Sequence, residues 1–170
     1  MLPDAPLIVS ALFGPADFAW LDRLRRAHFP PERNLLRAHL ILFHHLPPSI
    51  EGELRRRLDQ ATRGVPPPAA EAAGLQSLGR GVAIRIVSPK LAALRAALAE
   101  AFAGLLTPQD AAGWRPHVTI QNKVAPDQAR RLKEELERDF RPRPVAIVGI
   151  AAWIYRGGPW EPLSSHRFAG

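Results

Sequence analysis

The sequence contains no cysteine. Disulfides, zinc–thiolate sites and thiol nucleophiles are therefore excluded. Long apolar runs are also missing, since none reaches the roughly 20 residues that a helix needs to cross a bilayer. The apolar segment 5–13 is too short, and it follows Asp4 rather than a basic cluster, unlike a secretory signal peptide. We therefore expect a cytoplasmic protein with no membrane partner.

Lysine is scarce as well, because 20 of the 23 basic residues are arginines. The formal net charge is +7. Such a balance favours a polyanionic partner such as RNA or a nucleotide, although an arginine-rich codon usage produces the same composition. The chain has 170 residues, of which 46% are hydrophobic and 23% charged. These values predict a single domain over residues 1–170 with a sizeable core.

The pattern of apolar residues predicts a strand, a helix, a strand, a helix, a short hairpin, a helix, a strand, a helix and two closing strands. The predicted strands include 7–13, 39–43, 82–87, 117–122, 145–155 and 160–168. Ser49 and Ser88 are predicted to cap helices, and the proline-rich segment 64–70 is predicted to be a linker. This order is typical of an α+β fold built from two similar lobes.

Two segments 78 residues apart share one pattern. Segment 37–42 reads RAHLIL and segment 115–120 reads RPHVTI, so both have the order Arg, any residue, His, aliphatic, any residue, aliphatic. Each segment follows a predicted loop and precedes a predicted helix. The repeat indicates a duplicated half-domain.

Strand alternation sorts the side chains of the two segments, because every second residue of a strand points to the same face. In the second segment, one face carries Arg115, His117, Thr119, Gln121 and Lys123. In the first segment, the corresponding face carries Arg37, His39, Ile41, Phe43 and His45. If the aliphatic residues of the opposite faces pack on helices, the two histidine faces line a cleft between the lobes.

The pair His39 and His117 suits general acid–base chemistry, because an imidazole titrates near neutral pH and one ring can be neutral while the other is protonated. A single half-buried histidine on a strand is more often structural, but the repeated pattern favours function. Thr119, Arg115 and Lys123 have groups that bind phosphate oxygens.

Arg37 and His45 are further candidates for binding a substrate at the edge of the cleft. For Arg37 and Arg115, the alternative is that each is simply a solvated residue at the start of a strand.

A metal site is not predicted. His39 and His45 lie about 20 Å apart on an extended strand, and no Asp or Glu stands at close ligand spacing. We therefore predict neither a metal nor a cofactor. His44 is expected to pack or to cap, and His28 and His166 to be structural or exposed.

At the two repeated segments, the chain resembles the two-histidine phosphoesterase superfamily, and within it the bacterial RNA 2′–5′ ligase and cyclic phosphodiesterase branch. The signature of that family is a pair of His-x-Thr or His-x-Ser motifs on two strands. Segment 117–120 matches fully, whereas segment 39–43 has Ile41 where the family has Thr or Ser. The sequence Trp-Arg-Pro at 114–116 and the late segment 155–160 also fit, so the resemblance covers nearly the whole chain.

The resemblance implies a bilobal, pseudo-twofold fold in which two antiparallel sheets line a central cleft with helices outside. It implies hydrolysis of 2′,3′-cyclic phosphates or 2′–5′ linked nucleotides of RNA, with ligation as the reverse reaction. One of His39 and His117 would be the base and the other the acid. Thr119 would bind a phosphate oxygen, which Ile41 cannot do.

Tyr155 and Trp160 are candidates for stacking on a base, although both can equally be aromatic residues of the core or the hairpin. Ile41 also supports a second function, a catalytically weak module of the same fold that binds RNA or a nucleotide. The pair of histidines favours the enzyme, because binding alone has no need for two titrating groups. A weaker third possibility is a protein-interaction domain that uses its arginine-rich surface.

Overall fold

A computed structural model describes residues 5–170. The strands are β1 (Leu7–Phe13), β2 (Leu40–Leu46), β3 (Ala69–Ser77), β4 (Val82–Val87), β5 (His117–Gln121), β6 (Arg143–Ile154) and β7 (Glu161–Arg167). The helices are α1 (Pro15–His28), α2 (Glu51–Thr62), α3 (Pro89–Ala101), the short α4 (Pro108–Ala111) and α5 (Pro126–Asp139). The predicted α+β class is confirmed. Among the described residues, α4 and a 3-10 turn over Pro31–Arg33 were not predicted.

Within residues 5–170, the seven strands form one antiparallel sheet in the order β2-β1-β6-β3-β4-β5, with β7 also pairing with β6. The expectation of two separate sheets is therefore wrong. The reason is the length of β6, whose residues 143–146 pair with β3 while residues 147–154 pair with β1. A strand of 12 residues spans about 40 Å, so it can hydrogen-bond to both halves of the molecule.

The two halves repeat one arrangement. In the first, β1 is followed by α1 and then pairs with β2; in the second, β4 is followed by α3 and α4 and then pairs with β5. β2 and β5 consequently stand at the two ends of the strand order. His39 precedes β2 directly and His117 begins β5, so the sheet presents the two repeated segments in equivalent positions.

Local signals decide where several elements begin. Ser88 caps α3, as predicted, because its side chain accepts a hydrogen bond from the backbone N of Leu91. Ser49 does not cap α2, since two prolines start a 3-10 turn over Pro48–Ile50 that contains it. The predicted linker 64–70 is a loop only in part, because residues 69 and 70 already belong to β3 and pair with β6.

The core lies between the sheet and the helices. In β4, Val82, Ile84 and Ile86 are buried and Arg85 is exposed, as strand alternation predicts. His166, on β7, is buried; its Nδ1 lies 2.6 Å from Asp59 Oδ1 of α2 and its Nε2 lies 2.8 Å from the Ser164 hydroxyl. His166 was expected to be either structural or exposed, and its burial and hydrogen bonds show a structural role.

None of the helices in the described part of the chain combines the length and the apolar character that spanning a bilayer requires.

Candidate functional site

The two repeated histidines are held in the same way. His39 Nδ1 lies 2.8 Å from the carbonyl oxygen of Arg37, and His117 Nδ1 lies 2.7 Å from the carbonyl oxygen of Arg115. Because a carbonyl oxygen only accepts hydrogen bonds, Nδ1 of each ring must carry the hydrogen. Nε2 is then an acceptor on a neutral ring and a donor on a protonated one, which is the property that a general base or acid requires.

Both histidines line one cavity of about 300 Å³. Its walls come from both halves of the repeat and from the chain that precedes β5. The lining residues are His39, Ile41, His44, Gln76, Arg95, Gln109, Asp110, Gly113, Trp114, Arg115, His117 and Thr119. Of the residues predicted for the site, the structure thus brings together His39, His117, Thr119 and Arg115, with Ile41 among them.

His45 is not in this cavity, and His44 is. Strict alternation places His45 on the face of His39 and His44 on the opposite face. That prediction is wrong because β2 is irregular. The register of β1 against β2 shifts on both sides of the pair Val9 and Phe43, so β2 uses extra residues there. The extra residue between Ile41 and Phe43 turns Phe43 into the core and His44 toward the cavity. His45 lies where the second extra residue falls, and it is exposed.

Lys123 also lies elsewhere, beside Arg26 and His28 in a groove at the start of α5. The register of β4 against β5 shifts between Gln121 and Thr119, which turns Gln121 into the core with 3% of its surface exposed. The chain then turns at Lys123, whose φ is 63°. The predicted polar face therefore ends at Thr119.

A second, more apolar groove of about 450 Å³ adjoins the cavity at His39. It is lined by Phe13, Phe18, Leu36, Trp153 and Trp160 among others, with Arg37 at its side. The ring of Trp160 lies 4.8 Å from that of His39, and 6.1 Å from that of Trp153. Tyr155 is 41% exposed and lines neither the cavity nor this groove. Of the two predicted aromatic residues, Trp160 thus lies beside His39, and Tyr155 does not.

Two buried arginines bind the backbone of the repeated strands. Each extends from a helix of one half to a strand of the other half. Arg25 of α1 donates from Nη1 to the carbonyl oxygen of Thr119 at 3.0 Å, and Arg95 of α3 donates from Nε to that of Leu42 at 3.1 Å. Each guanidinium also lies over a phenylalanine ring, 4.1 Å from the centre of Phe29 for Arg25 and 4.4 Å from that of Phe43 for Arg95. The pair fixes the two strands across the cleft.

Sequence reasoning did not assign a role to these arginines, although a signal was present. Arg25 stands at helical spacing from Leu21 and Arg95 from Leu91, so each lies on the apolar face of its helix. A charged residue on such a face must find partners in the interior. Burial lowers the pKa of both guanidinium groups, yet an arginine remains charged in a protein.

His44 and Asp110 form a further pair that was not predicted. Asp110, in α4, is 1% exposed, and its carboxylate accepts hydrogen bonds from the backbone N of His44 and of His45. His44 Nδ1 lies 3.1 Å from Asp110 Oδ1. Burial alone would raise the pKa of Asp110, but the hydrogen bonds from His44 and His45 outweigh it and lower the pKa. The group is therefore a carboxylate.

The pKa of His39 is lowered to about 4. Burial is the largest cause, and the positive charges of Arg25, His117 and His44 act in the same direction, while the hydrogen bond to the Arg37 carbonyl opposes them. His39 is consequently neutral at pH 7, and its Nε2 is an acceptor.

In an NMR titration of the folded protein, we expect the His39 ring to titrate near pH 4, against about 6.5 for an unfolded histidine. The unfolded chain then binds this proton more strongly, so the contribution of His39 to stability falls as the pH decreases from 6.5 to 4. A His39→Gln variant identifies the resonance. An inflection near pH 6.5 would contradict the environment described here.

Among residues 5–170, no group of three or more His, Cys, Asp or Glu side chains is arranged to hold a metal ion. In the cavity itself, Asp110 is already paired with His44 and with two backbone N–H groups.

The paired histidines on equivalent strands are the arrangement of a two-histidine phosphoesterase. A model of the 2′-5′ RNA ligase superfamily matches residues 13–159, and the chain belongs to this superfamily. No curated protein matches the chain.

Several solved structures have a similar fold. TT0787 of Thermus thermophilus has a TM-score of 0.65 at 15% identity, and the match covers 97% of this chain and 98% of that one. LigT of E. coli in complex with 3′-AMP has a TM-score of 0.64 at 17% identity, with 98% and 99% covered. A structure described as a phosphoesterase has a TM-score of 0.59 at 19% identity, with the same coverage. Likeness at such identities shows the fold alone.

Proposed function

We propose that the protein is a metal-independent phosphodiesterase that acts on 2′,3′-cyclic phosphates or 2′–5′ linkages of RNA or nucleotides. One observation carries the proposal: two imidazole rings, with Nδ1 of each occupied by an equivalent carbonyl, line the same cavity. This leaves two Nε2 atoms for proton transfer on a bound phosphodiester. Thr119 and Arg115 in the same cavity offer donors to the phosphate oxygens.

The lowered pKa of His39 supports this ring as the base, which leaves the role of the acid to His117. Neutral His39 takes a proton from a water molecule through Nε2 as the water oxygen forms a bond to phosphorus. His117 gives the proton on its Nε2 to the ribose oxygen as the bond from that oxygen to phosphorus breaks. The two rings end with exchanged protonation states. If a 5′-hydroxyl replaces water as the nucleophile on a 2′,3′-cyclic phosphate, the same two transfers form a 2′–5′ linkage, and the ribose 3′-oxygen leaves with the proton from the acid.

The apolar groove beside His39 supports a nucleoside as the group attached to the phosphate. Trp160 and Trp153 offer ring faces to a base, and stacking on an aromatic side chain contributes about 1–3 kcal/mol per base. Arg37 at the same groove can contact a neighbouring phosphate of RNA. LigT of E. coli has been crystallised with 3′-AMP, with phosphate and with ATP, which supports a nucleotide or phosphate ligand for this fold.

The test is an assay of the pure protein on the four 2′,3′-cyclic nucleotides and on 2′–5′ and 3′–5′ linked dinucleotides. We expect hydrolysis of the first two classes and none of the third. Turnover of 3′–5′ dinucleotides in preference to the others, or of no member of the panel, would refute the proposal.

Ile41 supports the second candidate function, a binding module of the same fold with weak or no catalysis. The first motif lacks a hydroxyl at this position, and Ile41 lines the cavity. Binding of 3′-AMP without turnover of any cyclic nucleotide would favour the module over the enzyme.

Hydrolysis is expected to continue at an unchanged rate after treatment with EDTA, because the proposed chemistry uses imidazole groups alone. The check compares the rate of 2′,3′-cyclic AMP hydrolysis for untreated protein with the rate for protein that was treated with EDTA and then gel-filtered. If activity were lost and then restored by zinc or manganese, the site would have been misassigned.

A further inference from the structure

The first motif lacks a donor that the second has. Thr119 lines the cavity two residues after His117, whereas two residues after His39 the cavity wall is Ile41, which has no hydrogen-bonding group in its side chain. A phosphodiester between the two histidines would therefore meet a hydroxyl on the β5 side and a hydrocarbon on the β2 side. The irregularity of β2 brings a different polar side chain to this wall, that of His44.

We propose that His44, held by Asp110, binds a non-bridging phosphate oxygen and replaces the hydroxyl that the first motif lacks. The proposal rests on the proposed function, since it takes the phosphodiester as the ligand of the cavity. It gives His44 a part in substrate binding, separate from the proton transfers of His39 and His117.

The position of the His44 ring is fixed by the Asp110 carboxylate. Nδ1 is engaged with Oδ1 at 3.1 Å, so the remaining nitrogen, Nε2, is left for an external partner. Asp110 is itself held in place, because it is buried and its backbone carbonyl accepts a hydrogen bond from Arg95 Nη2 at 2.6 Å. Arg95 also bonds to β2, at the carbonyl oxygen of Leu42. The ring is thereby tied to a rigid part of the molecule while 39% of its side chain stays exposed.

The charges around His44 suit an anionic ligand. With Nδ1 on the Asp110 carboxylate and Nε2 on a phosphate oxygen, both ring nitrogens would donate hydrogen bonds to anionic acceptors. Arg95 and Arg115 line the same cavity and add positive charge. A phosphate oxygen bound by the imidazolium would thus form a charge-assisted hydrogen bond, and such bonds are stronger than those between neutral groups.

The Asp110 carboxylate has partners other than the ring. The Asp110 carboxylate already accepts hydrogen bonds from the backbone N of His44, at 2.9 and 3.0 Å, and from that of His45, at 2.9 Å. Two backbone N–H groups would therefore still bond to the carboxylate if the imidazole were removed. Removing the ring should therefore leave the fold intact, and His44→Ala is a usable test.

The experiment measures the affinity of inorganic phosphate and of 3′-AMP by calorimetry, for the wild type, His44→Ala, His44→Gln and His45→Ala. We expect His44→Ala to weaken both affinities by roughly 10–150-fold, the usual effect of losing a hydrogen bond to a charged group. His44→Gln retains an N–H donor and should recover part of this loss. His45→Ala is the matched control, because it removes the exposed neighbouring histidine, and it should bind as the wild type does.

The outcomes separate this proposal from the proposed function. Unchanged phosphate affinity in His44→Ala, with an unchanged melting temperature, would overturn the role of His44 even if the wild type hydrolyses cyclic nucleotides. His44-dependent phosphate binding without any turnover would support the role of His44 and refute the phosphodiesterase. A wild type that binds neither phosphate nor 3′-AMP would overturn both.

Discussion

Replacing His39 or His117 with alanine is expected to lower kcat/KM for 2′,3′-cyclic nucleotides by at least about 10²-fold in each case. A positioned acid or base contributes about 10²–10⁴-fold to a proton transfer, and each alanine removes one of the two. The double variant should lose far less than the product of the two single effects, because both groups act in one displacement and removing either already disables it. Initial rates on 2′,3′-cyclic AMP check all three variants.

Two controls accompany these variants. His45→Ala removes an exposed histidine of the same strand outside the cavity, so its rate should match that of the wild type. Both His39→Ala and His117→Ala should still bind 3′-AMP, because Thr119 and Arg115 remain in the cavity. Near-normal rates in either variant would remove the basis for acid–base catalysis and leave the binding module as the better account.

A substrate with an activated leaving group separates the two roles. A p-nitrophenolate leaves without being protonated, so an enzyme without its general acid keeps much of its rate on bis-p-nitrophenyl phosphate. His117→Ala is expected to retain more activity on this ester than on a cyclic nucleotide, and His39→Ala is expected to be impaired on both. The reverse pattern would exchange the roles of the two histidines.

The elements of this fold could be predicted from the sequence because their signals are local. Strand alternation in β4, the cap at Ser88 and the apolar faces of the helices all depend on neighbouring residues. The pairing of β6 with both halves could not be predicted in this way. Its sequence indicates one long strand, but which strands it pairs with depends on register and twist across the whole sheet.

The histidine pair of the site was predictable for a similar reason: the repeat places His39 and His117 on equivalent strands. The prediction failed for residues further along the two strands, where side chains were assigned to a face by strict alternation. Register shifts in β2 and β5 bring His44 to the cavity, leave His45 exposed and bury Gln121. A bulge is a property of two paired strands, so one strand's sequence does not reveal it.

The second large effect concerns Ile41, whose side chain lines the cavity together with His39 and Thr119. Ile41→Thr should fold, since threonine is also β-branched and suits a strand. The backbone at this position is further held by Trp114, which donates from Nε1 to the carbonyl oxygen of Ile41 at 3.0 Å. The new hydroxyl would therefore be positioned much as the hydroxyl of Thr119 is in the second motif.

The size of the gain from Ile41→Thr depends on His44. If His44 already donates to the phosphate, a hydroxyl at position 41 adds little to the wild type, but in a His44→Ala background it should restore roughly 10–150-fold in phosphate affinity or kcat/KM. The two substitutions then show strong coupling in a double-mutant cycle.

Ile41→Val is the matched control, because valine keeps the branched shape and has no donor. A gain shared by valine and threonine would mean that bulk at position 41 limits the ligand, and an equal gain from threonine in both backgrounds would mean that His44 and the hydroxyl act on different oxygens.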